Sequence, residues 1–296
     1  ILVIRLLQGG LAGFSTAAQA WSLAITPINT HSQIVGRLQA ATAMGSIVGP
    51  ICGGLISNYY GYLSIFITAG FVCLLLSIIL VNYLKENPAR STPSPEKKAQ
   101  KKFFLYEPGK NLLLLLICSS QVARWMSTPF FALYIAQQLH ADNLTLGLIY
   151  ATMAISMSLM TSTLGKTIDN KQPGRRAWAK LLLILALLLS GLSQCGFAFI
   201  TKSYLAFGLS ILWGLSLGVI ALILFSFLLS DINDDNIRTK AVGLGNTALK
   251  LGNLLGILAG TFIQAKSIQM DGHFVLSFMV IGSFYFILAI IAGQYK

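Results

Sequence analysis

Long apolar runs separated by short polar segments fill this sequence from end to end. An α-helix needs about 20 residues to cross the roughly 30 Å hydrocarbon layer of a bilayer. The short alternating segments typical of a transmembrane β-barrel do not occur. The pattern therefore predicts an all-α polytopic membrane protein with nine spans, at residues 1–26, 38–57, 62–84, 111–134, 144–165, 177–200, 204–230, 241–265 and 274–294.

One connection, residues 85–110, is longer and more polar than the others. It reads KENPARSTPSPEKKAQKKFFLYEPGK, is rich in Pro, Ser and Lys, and has no apolar face. Such a composition is typical of a soluble linker between two bundles. We therefore expect the remainder of one helical bundle in residues 1–84, a cytoplasmic linker in 85–110, and a six-helix bundle in 111–296.

The positive charge of the chain is unevenly divided between its loops. The net charge is +12, the mean hydropathy is +0.73, and 55% of the residues are hydrophobic. Seven Lys and Arg residues lie in the linker and five in loop 166–180, whereas loops on the opposite side carry only Lys202 and Lys266. This asymmetry favours membrane topology over nucleic-acid binding as its origin, and it predicts a cytoplasmic C-terminus.

Two apolar segments share a spacing of glycines, GSIVGPICGG at 45–54 and GNLLGILAGT at 252–261. Glycines four apart form a flat strip on one helix face, where a neighbouring backbone can approach closely. The strips could be static helix contacts, or surfaces on which two half-bundles slide. If the two halves are equal, three helices precede Ile1. The matching residues are Gly45, Gly49 and Gly53 in the first segment and Gly252, Gly256 and Gly260 in the second.

Three motifs resemble those of the major facilitator superfamily, and within it the drug:proton antiporters of the tetracycline and multidrug type. The first resembles the antiporter signature of the fifth helix, and the second a fourth-helix motif that begins RLLQGG. The third, GKTIDNKQPGRR, resembles the cytoplasmic loop motif, with two extra residues before its second glycine. The matched positions are Gly45, Gly49, Pro50, Gly53 and Gly54; Arg5, Gln8, Gly9 and Gly13; and Gly165, Asp169, Gly174, Arg175 and Arg176.

The resemblance implies the major facilitator fold, with nine of its twelve helices present from the fourth helix onward. It also implies alternating access, with Asp169 and the arginines after it acting as a cytoplasmic gate. A solvated turn with topology charges would explain the same loop residues. Arg5, near the start of the chain, is either a residue of the pathway or a side chain that reaches the membrane surface.

The resemblance also implies which helices line a substrate cavity. The family uses its first, fourth, seventh and tenth helices, and the last three correspond here to 1–26, 111–134 and 204–230. Aromatic and polar side chains on them would suit bulky amphipathic substrates. Ordinary packing or contact with lipid would also explain the aromatic residues. Arg124 would attract an anionic or zwitterionic substrate, or pair with a carboxylate from helices before Ile1. The candidate cavity residues are Gln121, Arg124, Trp125, Phe130 and Trp213.

The sequence lacks the residues that several kinds of functional site require. All nine acidic residues lie in loops or at helix ends, so no carboxylate at mid-membrane depth is present to couple transport to protons. The three His residues lie in loops, the four Cys residues show no CxxC spacing, and no phosphate-binding GxxxxGK[ST] occurs. We therefore predict no enzyme activity, no metal and no cofactor. The coupling acid is expected before Ile1.

These observations predict a monomeric transporter of the bacterial inner membrane that exchanges drugs or amphipathic small molecules for protons. Two alternatives remain. One is a facilitator of a metabolite such as a sugar or siderophore, and the other is a truncated membrane protein that transports nothing.

Overall fold

Nine α-helices form the parts of the chain that the structure describes. The computed structural model covers residues 31–83, 108–168, 175–229, 235–269 and 273–294. The predicted all-α fold class is confirmed within these ranges. The helices are α1 (His31–Tyr60), α2 (Tyr62–Tyr83), α3 (Pro108–Met126), α4 (Thr128–Gln137), α5 (Asn143–Ile168), α6 (Arg175–Phe197), α7 (Ser203–Leu229), α8 (Asp235–Gln269) and α9 (His273–Gln294).

The predicted spans agree closely with these helices. Every span after the first overlaps a helix, whereas span 1–26 and most of the linker lie outside the described residues. Among the described helices, six are long and apolar enough to cross a membrane by length and composition, namely α2 and α5 to α9. The side chains of α2 extend into open space, with Phe66 70% and Val81 80% exposed, as expected for a helix that contacts lipid.

The predicted span 111–134 is divided into two helices at Ser127. Pro129 stands at the start of α4 and has no backbone N–H to donate to the preceding turn. The Ser127 carbonyl instead accepts hydrogen bonds from the backbone N–H groups of Phe130 (3.2 Å) and Phe131 (2.9 Å). The prediction of one continuous helix here is wrong because Pro129 interrupts its hydrogen-bond ladder.

The core of the structure lies among α3 to α9. Helix α5 packs on α7, α6 packs on α7 and α9, and α8 packs on α3. An aromatic cluster joins α4, α6, α7 and α9 at the end where α4 and α6 finish and α9 begins. The Tyr134 hydroxyl in it donates a hydrogen bond of 2.5 Å to the Phe197 carbonyl. The aromatic cluster consists of Phe130, Phe131, Tyr134, Phe197, Trp213, Phe274 and Phe278.

A single residue, Gly61, connects α1 to α2. Its φ of +79° is a left-handed conformation that residues with a Cβ rarely adopt. Its N–H donates to the Ser57 carbonyl at 3.0 Å, which ends α1 in the way typical of a C-terminal glycine cap. The next helix therefore begins at Tyr62, on the side of the molecule where α5 also begins.

Candidate functional site

The second glycine strip holds α8 against α3. A Cβ added at Gly256 would lie 2.6 Å from the Val122 carbonyl oxygen. Gly252 lies still closer to the Cys118 carbonyl, and Gly260 to the Met126 carbonyl. The backbone of one helix thus packs directly on the other over two turns, as small-residue spacing permits in a membrane.

The first strip makes a different contact. Helix α1 crosses α5 through Gly54, where an added Cβ would lie 2.8 Å from the Asn143 carbonyl oxygen, and Gly147 lies over the Pro50 carbonyl. Beside this crossing, the Tyr62 hydroxyl donates a hydrogen bond of 2.6 Å to Asn143 Oδ1. The predicted N-terminal and C-terminal bundles therefore touch along α1 and α5, and the interface is closest at two glycines.

Gly45, Gly49 and Gly53 do not take part in this crossing. A Cβ added at any of the three would meet no atom within 4 Å in the described part of the chain. The face of α1 that meets α5 includes Pro50 and Gly54 instead. The motif thus has one face on α5 and another face open, and the role of its open face stays a prediction.

Arg124 lies near the end of α3 and inside the C-terminal bundle. Its guanidinium lies 6.0 Å from the centroid of the Trp125 ring, on the face of that ring. It also lies close enough to the Tyr285 hydroxyl for the two groups to interact electrostatically. No described carboxylate pairs with it, so this cation has aromatic partners and no counter-ion within the described ranges.

Tyr285 joins Arg124 to the predicted cavity residue Trp213. Its side chain is fully buried, and its hydroxyl lies beside the Trp213 indole. In the described ranges neither the hydroxyl nor the Trp213 Nε1–H makes a hydrogen bond of good geometry. Arg124 on α3, Trp213 on α7 and Tyr285 on α9, here called the Arg124 cluster, therefore bring polar groups from three helices into one buried region.

Further polar residues lie in the same bundle. The Ser190 and Ser216 hydroxyls are 2.7 Å apart and join α6 to α7. The Gln194 side chain is fully buried, and both of its polar atoms lack a partner among the described residues. The sequence reasoning missed these residues and Tyr285. A signal was present in the stretch SGLSQCG, where Ser190, Ser193 and Gln194 recur at helical spacing within an apolar run.

The remaining predicted cavity residues pack against α8 or in the core, although the Trp125 ring also lies beside the Arg124 guanidinium. Gln121 and Trp125 face α8, with their Cβ atoms next to Gly252 and Gly256. Phe130 is fully buried in the aromatic cluster, with its ring centroid 5.2 Å from that of Phe278. The structure therefore places Arg124 and Trp213 next to the same residue, Tyr285, whereas Phe130 packs in the core.

The structure describes only some of the other motif residues. Arg5, Gln8, Gly9 and Gly13 lie outside the described residues, as do Asp169 and Gly174. Gly165 lies near the end of α5, and Arg175 begins α6. Arg176 is exposed, with its guanidinium 6.0 Å from the Phe227 ring centroid.

Metal-binding and disulfide chemistry find no site in the described part of the chain. No three His, Cys, Asp or Glu side chains group there as a metal site would require. Cys52, Cys73, Cys118 and Cys195 are all unpaired thiols.

In the loop before α5, Asp142 accepts hydrogen bonds from the Thr145 hydroxyl and backbone N–H, and these bonds lower the pKa of its carboxyl.

Comparison with known proteins places this architecture in a family. The multi-drug resistance efflux pump PmrA of Streptococcus pneumoniae is 28% identical over 57% of this chain and 43% of its own length. The multidrug resistance protein MdtG of Serratia proteamaculans is 26% identical over 90% of this chain and 64% of its own length. The staphyloferrin B transporter of Staphylococcus aureus is 22% identical over 99% of this chain and 71% of its own length.

The matches to PmrA and MdtG thus span less than two thirds of those relatives. A sequence profile of the Major Facilitator Superfamily matches residues 1–116 and 113–294, which together are nearly the whole chain. The described helices agree with the all-α membrane fold that the motifs predicted. This chain belongs to the Major Facilitator Superfamily.

Proposed function

We propose that this chain belongs to a secondary transporter that exports drugs or other amphipathic small molecules in exchange for protons. Members of its superfamily are in general transporters and not enzymes. One of the relatives is named a multi-drug resistance efflux pump and another a multidrug resistance protein. The observation that carries the mechanism is the narrow crossing of α1 and α5 at Gly54 and Gly147. Two bundles that touch through small residues can rock without unpacking large side chains.

In this mechanism the crossing closes one side of the substrate pathway. The hydrogen bond from Tyr62 to Asn143 lies beside it and would be made in one state and broken in the other. Opening this side separates α1 from α5, and closing it restores the glycine contact. Because the contact is between backbones, a difference of less than 1 Å in helix separation decides whether the two surfaces fit.

Proton coupling needs a titratable group that the pathway can reach. Of the nine acidic residues, the two within the described ranges are Asp142, in the loop before α5, and Asp235, the first residue of α8. The sequence pattern predicts loop or helix-end positions for the other seven. We therefore propose none of these nine residues as the coupling acid. An imposed pH gradient should drive export, and nigericin, which exchanges K⁺ for H⁺ and collapses that gradient, should stop it.

The proposed arrangement has 1–84 in the N-terminal bundle, 85–110 as a cytoplasmic linker and 111–296 as the C-terminal bundle. It places the protein as a monomer in the bacterial inner membrane with its C-terminus in the cytoplasm, in line with the Lys and Arg content of the linker. Labelling of a single cysteine near Lys296 by a membrane-impermeant thiol reagent tests the orientation. Labelling only after the cells are lysed is the expected result.

A second candidate is a transporter of a metabolite such as a siderophore. The observation that favours it is the relative named a staphyloferrin B transporter, which aligns over 99% of this chain. Flux measurements in proteoliposomes of the full-length protein separate the possibilities. Proton-driven movement of a lipophilic dye supports drug export, movement of a siderophore alone supports the second candidate, and movement of no solute supports a protein that does not transport.

A further inference from the structure

We propose that the Arg124 cluster binds the carboxylate of an amphipathic substrate. This inference rests on the proposed function, because a transported solute has to reach the interior of the C-terminal bundle. It names the chemical class of that solute as an apolar aromatic or aliphatic body that carries one carboxylate.

The first argument is the excess of hydrogen-bond donors in the cluster. A guanidinium offers five N–H donors and no acceptor, and an indole offers one donor and no acceptor. Tyr285 contributes a hydroxyl between them, and neither it nor the Trp213 Nε1–H finds a well-aligned partner in the described ranges. The guanidinium and the indole can only donate, and the Tyr285 hydroxyl is the one group of the cluster that can also accept. Donors therefore outnumber acceptors in the cluster, which matches a group made only of acceptors, such as an ionised carboxylate.

The second argument is the charge. Arg124 is the third residue from the end of α3, and α4 continues for ten residues beyond it, so the guanidinium lies within the span and not at its boundary. A cation at such depth is stabilised by a counter-ion or by polar groups. No described carboxylate supplies the counter-ion, and Tyr285 and Trp125 supply only dipoles and ring faces.

The third argument is the apolar surface beside the cation. Trp213 packs against Phe131 with ring centroids 6.1 Å apart, and the Trp125 ring lies under the guanidinium. Aromatic walls around one charged group suit an amphipathic solute better than a small inorganic anion. The site therefore fits an aryl carboxylate, with the ring among the aromatic side chains and the carboxylate on Arg124.

The test compares two probes of nearly the same shape, an anion that can only accept hydrogen bonds and a neutral amide that also donates them. Binding of 2-naphthylacetate and of 2-naphthylacetamide to the full-length protein in phosphatidylcholine nanodiscs is measured by calorimetry. We expect naphthylacetate to bind about tenfold or more tightly than the amide, since hydrogen bonds to charged groups are the stronger ones. Arg124→Gln should remove the preference, Arg124→Lys should retain part of it, and Tyr285→Phe should reduce it several-fold.

Matched controls separate the site from general effects. Lys202→Gln removes an exposed cation and Tyr204→Phe an exposed tyrosine hydroxyl, and both should leave the preference unchanged. Tyr285→Phe keeps the packed ring, so it remains informative if Arg124→Gln does not fold. Equal binding of the two probes by the wild-type protein, or a preference that survives both Arg124→Gln and Tyr285→Phe, would overturn the proposal.

Two further measurements complete the test. One identifies a lipid as the source of the anion, and the other separates this inference from the proposed function. Loss of the preference when phosphatidylglycerol is added to the nanodiscs would assign the cluster to a lipid phosphate and overturn the proposal. Proton-driven export of a cationic dye without any preference for naphthylacetate would leave the proposed function intact and reject the carboxylate site. Preferential binding of naphthylacetate without proton-driven flux would support the site and reject the transport mechanism.

Discussion

Replacement of Gly54 by Ala tests whether α1 and α5 have to meet at their backbones. The added Cβ would lie 2.8 Å from the Asn143 carbonyl oxygen and 3.1 Å from the Leu144 Cα. Both are backbone atoms, so the clash is relieved only if the helices separate by about 0.5–1 Å. Overpacking of this kind costs about 1–3 kcal/mol in the contact state alone, whereas the roughly 1 kcal/mol that Ala gains over Gly inside a helix is gained in both states.

The expected result is a population shift away from the state in which α1 contacts α5. A cost of about 1–3 kcal/mol changes the ratio of the two states by about 5–150-fold. Distances between spin labels at the start of α2 and the start of α5 should therefore become longer, and export should slow. Gly70→Ala is the matched control, because a Cβ there meets no described atom within 4 Å. An unchanged distance distribution in Gly54→Ala, with export equal to that of the control, would refute the reasoning.

Three further predictions concern other parts of the fold. Asp142→Ala should lower the thermal stability of the detergent-solubilised protein by about 0.5–2 kcal/mol, because the carboxylate accepts the Thr145 N–H at the start of α5. Since its folded pKa lies below the unfolded value of about 3.9, this stabilisation is present above that pH and is lost as the pH falls through the folded pKa, so mutant and wild type should converge in acid. Gly256→Leu should reduce the melting temperature strongly through its contact with the Val122 carbonyl, whereas Gly208→Leu, which faces open space, should not. Asp169→Asn should weaken transport while leaving expression intact, and unchanged flux from a well-expressed mutant would reject a gating role.

The hydrophobic pattern was sufficient to predict the helices because each apolar run exceeds the thickness of a bilayer. Residues 62–84 and 274–294, for example, correspond to α2 and α9 within one residue at each end. The division at Ser127 was open to prediction from Pro129, but proline is tolerated in membrane helices and does not by itself decide whether a helix bends or ends.

The candidate site was harder to predict than the helices. Glycine spacing identified two strips, yet only neighbouring helices determine which face of each strip is covered. Gly252, Gly256 and Gly260 lie against α3, whereas α1 meets α5 through Gly54. Tyr285 could not be predicted from the sequence, because a single tyrosine in an apolar run has no periodic signal. Its place in the site depends on its contacts with Arg124 and Trp213, which lie on other helices.

The central claim, alternating access about the crossing of α1 and α5, is tested most directly by locking that crossing. Tyr62→Cys and Asn143→Cys are combined in a full-length protein without its native cysteines, and a short bifunctional thiol reagent with a reducible bond joins them. Proton-driven export from proteoliposomes should stop after crosslinking and return after reduction, while each single-cysteine variant treated in the same way should keep its activity. Export that continues undiminished in the fully crosslinked protein would contradict the account.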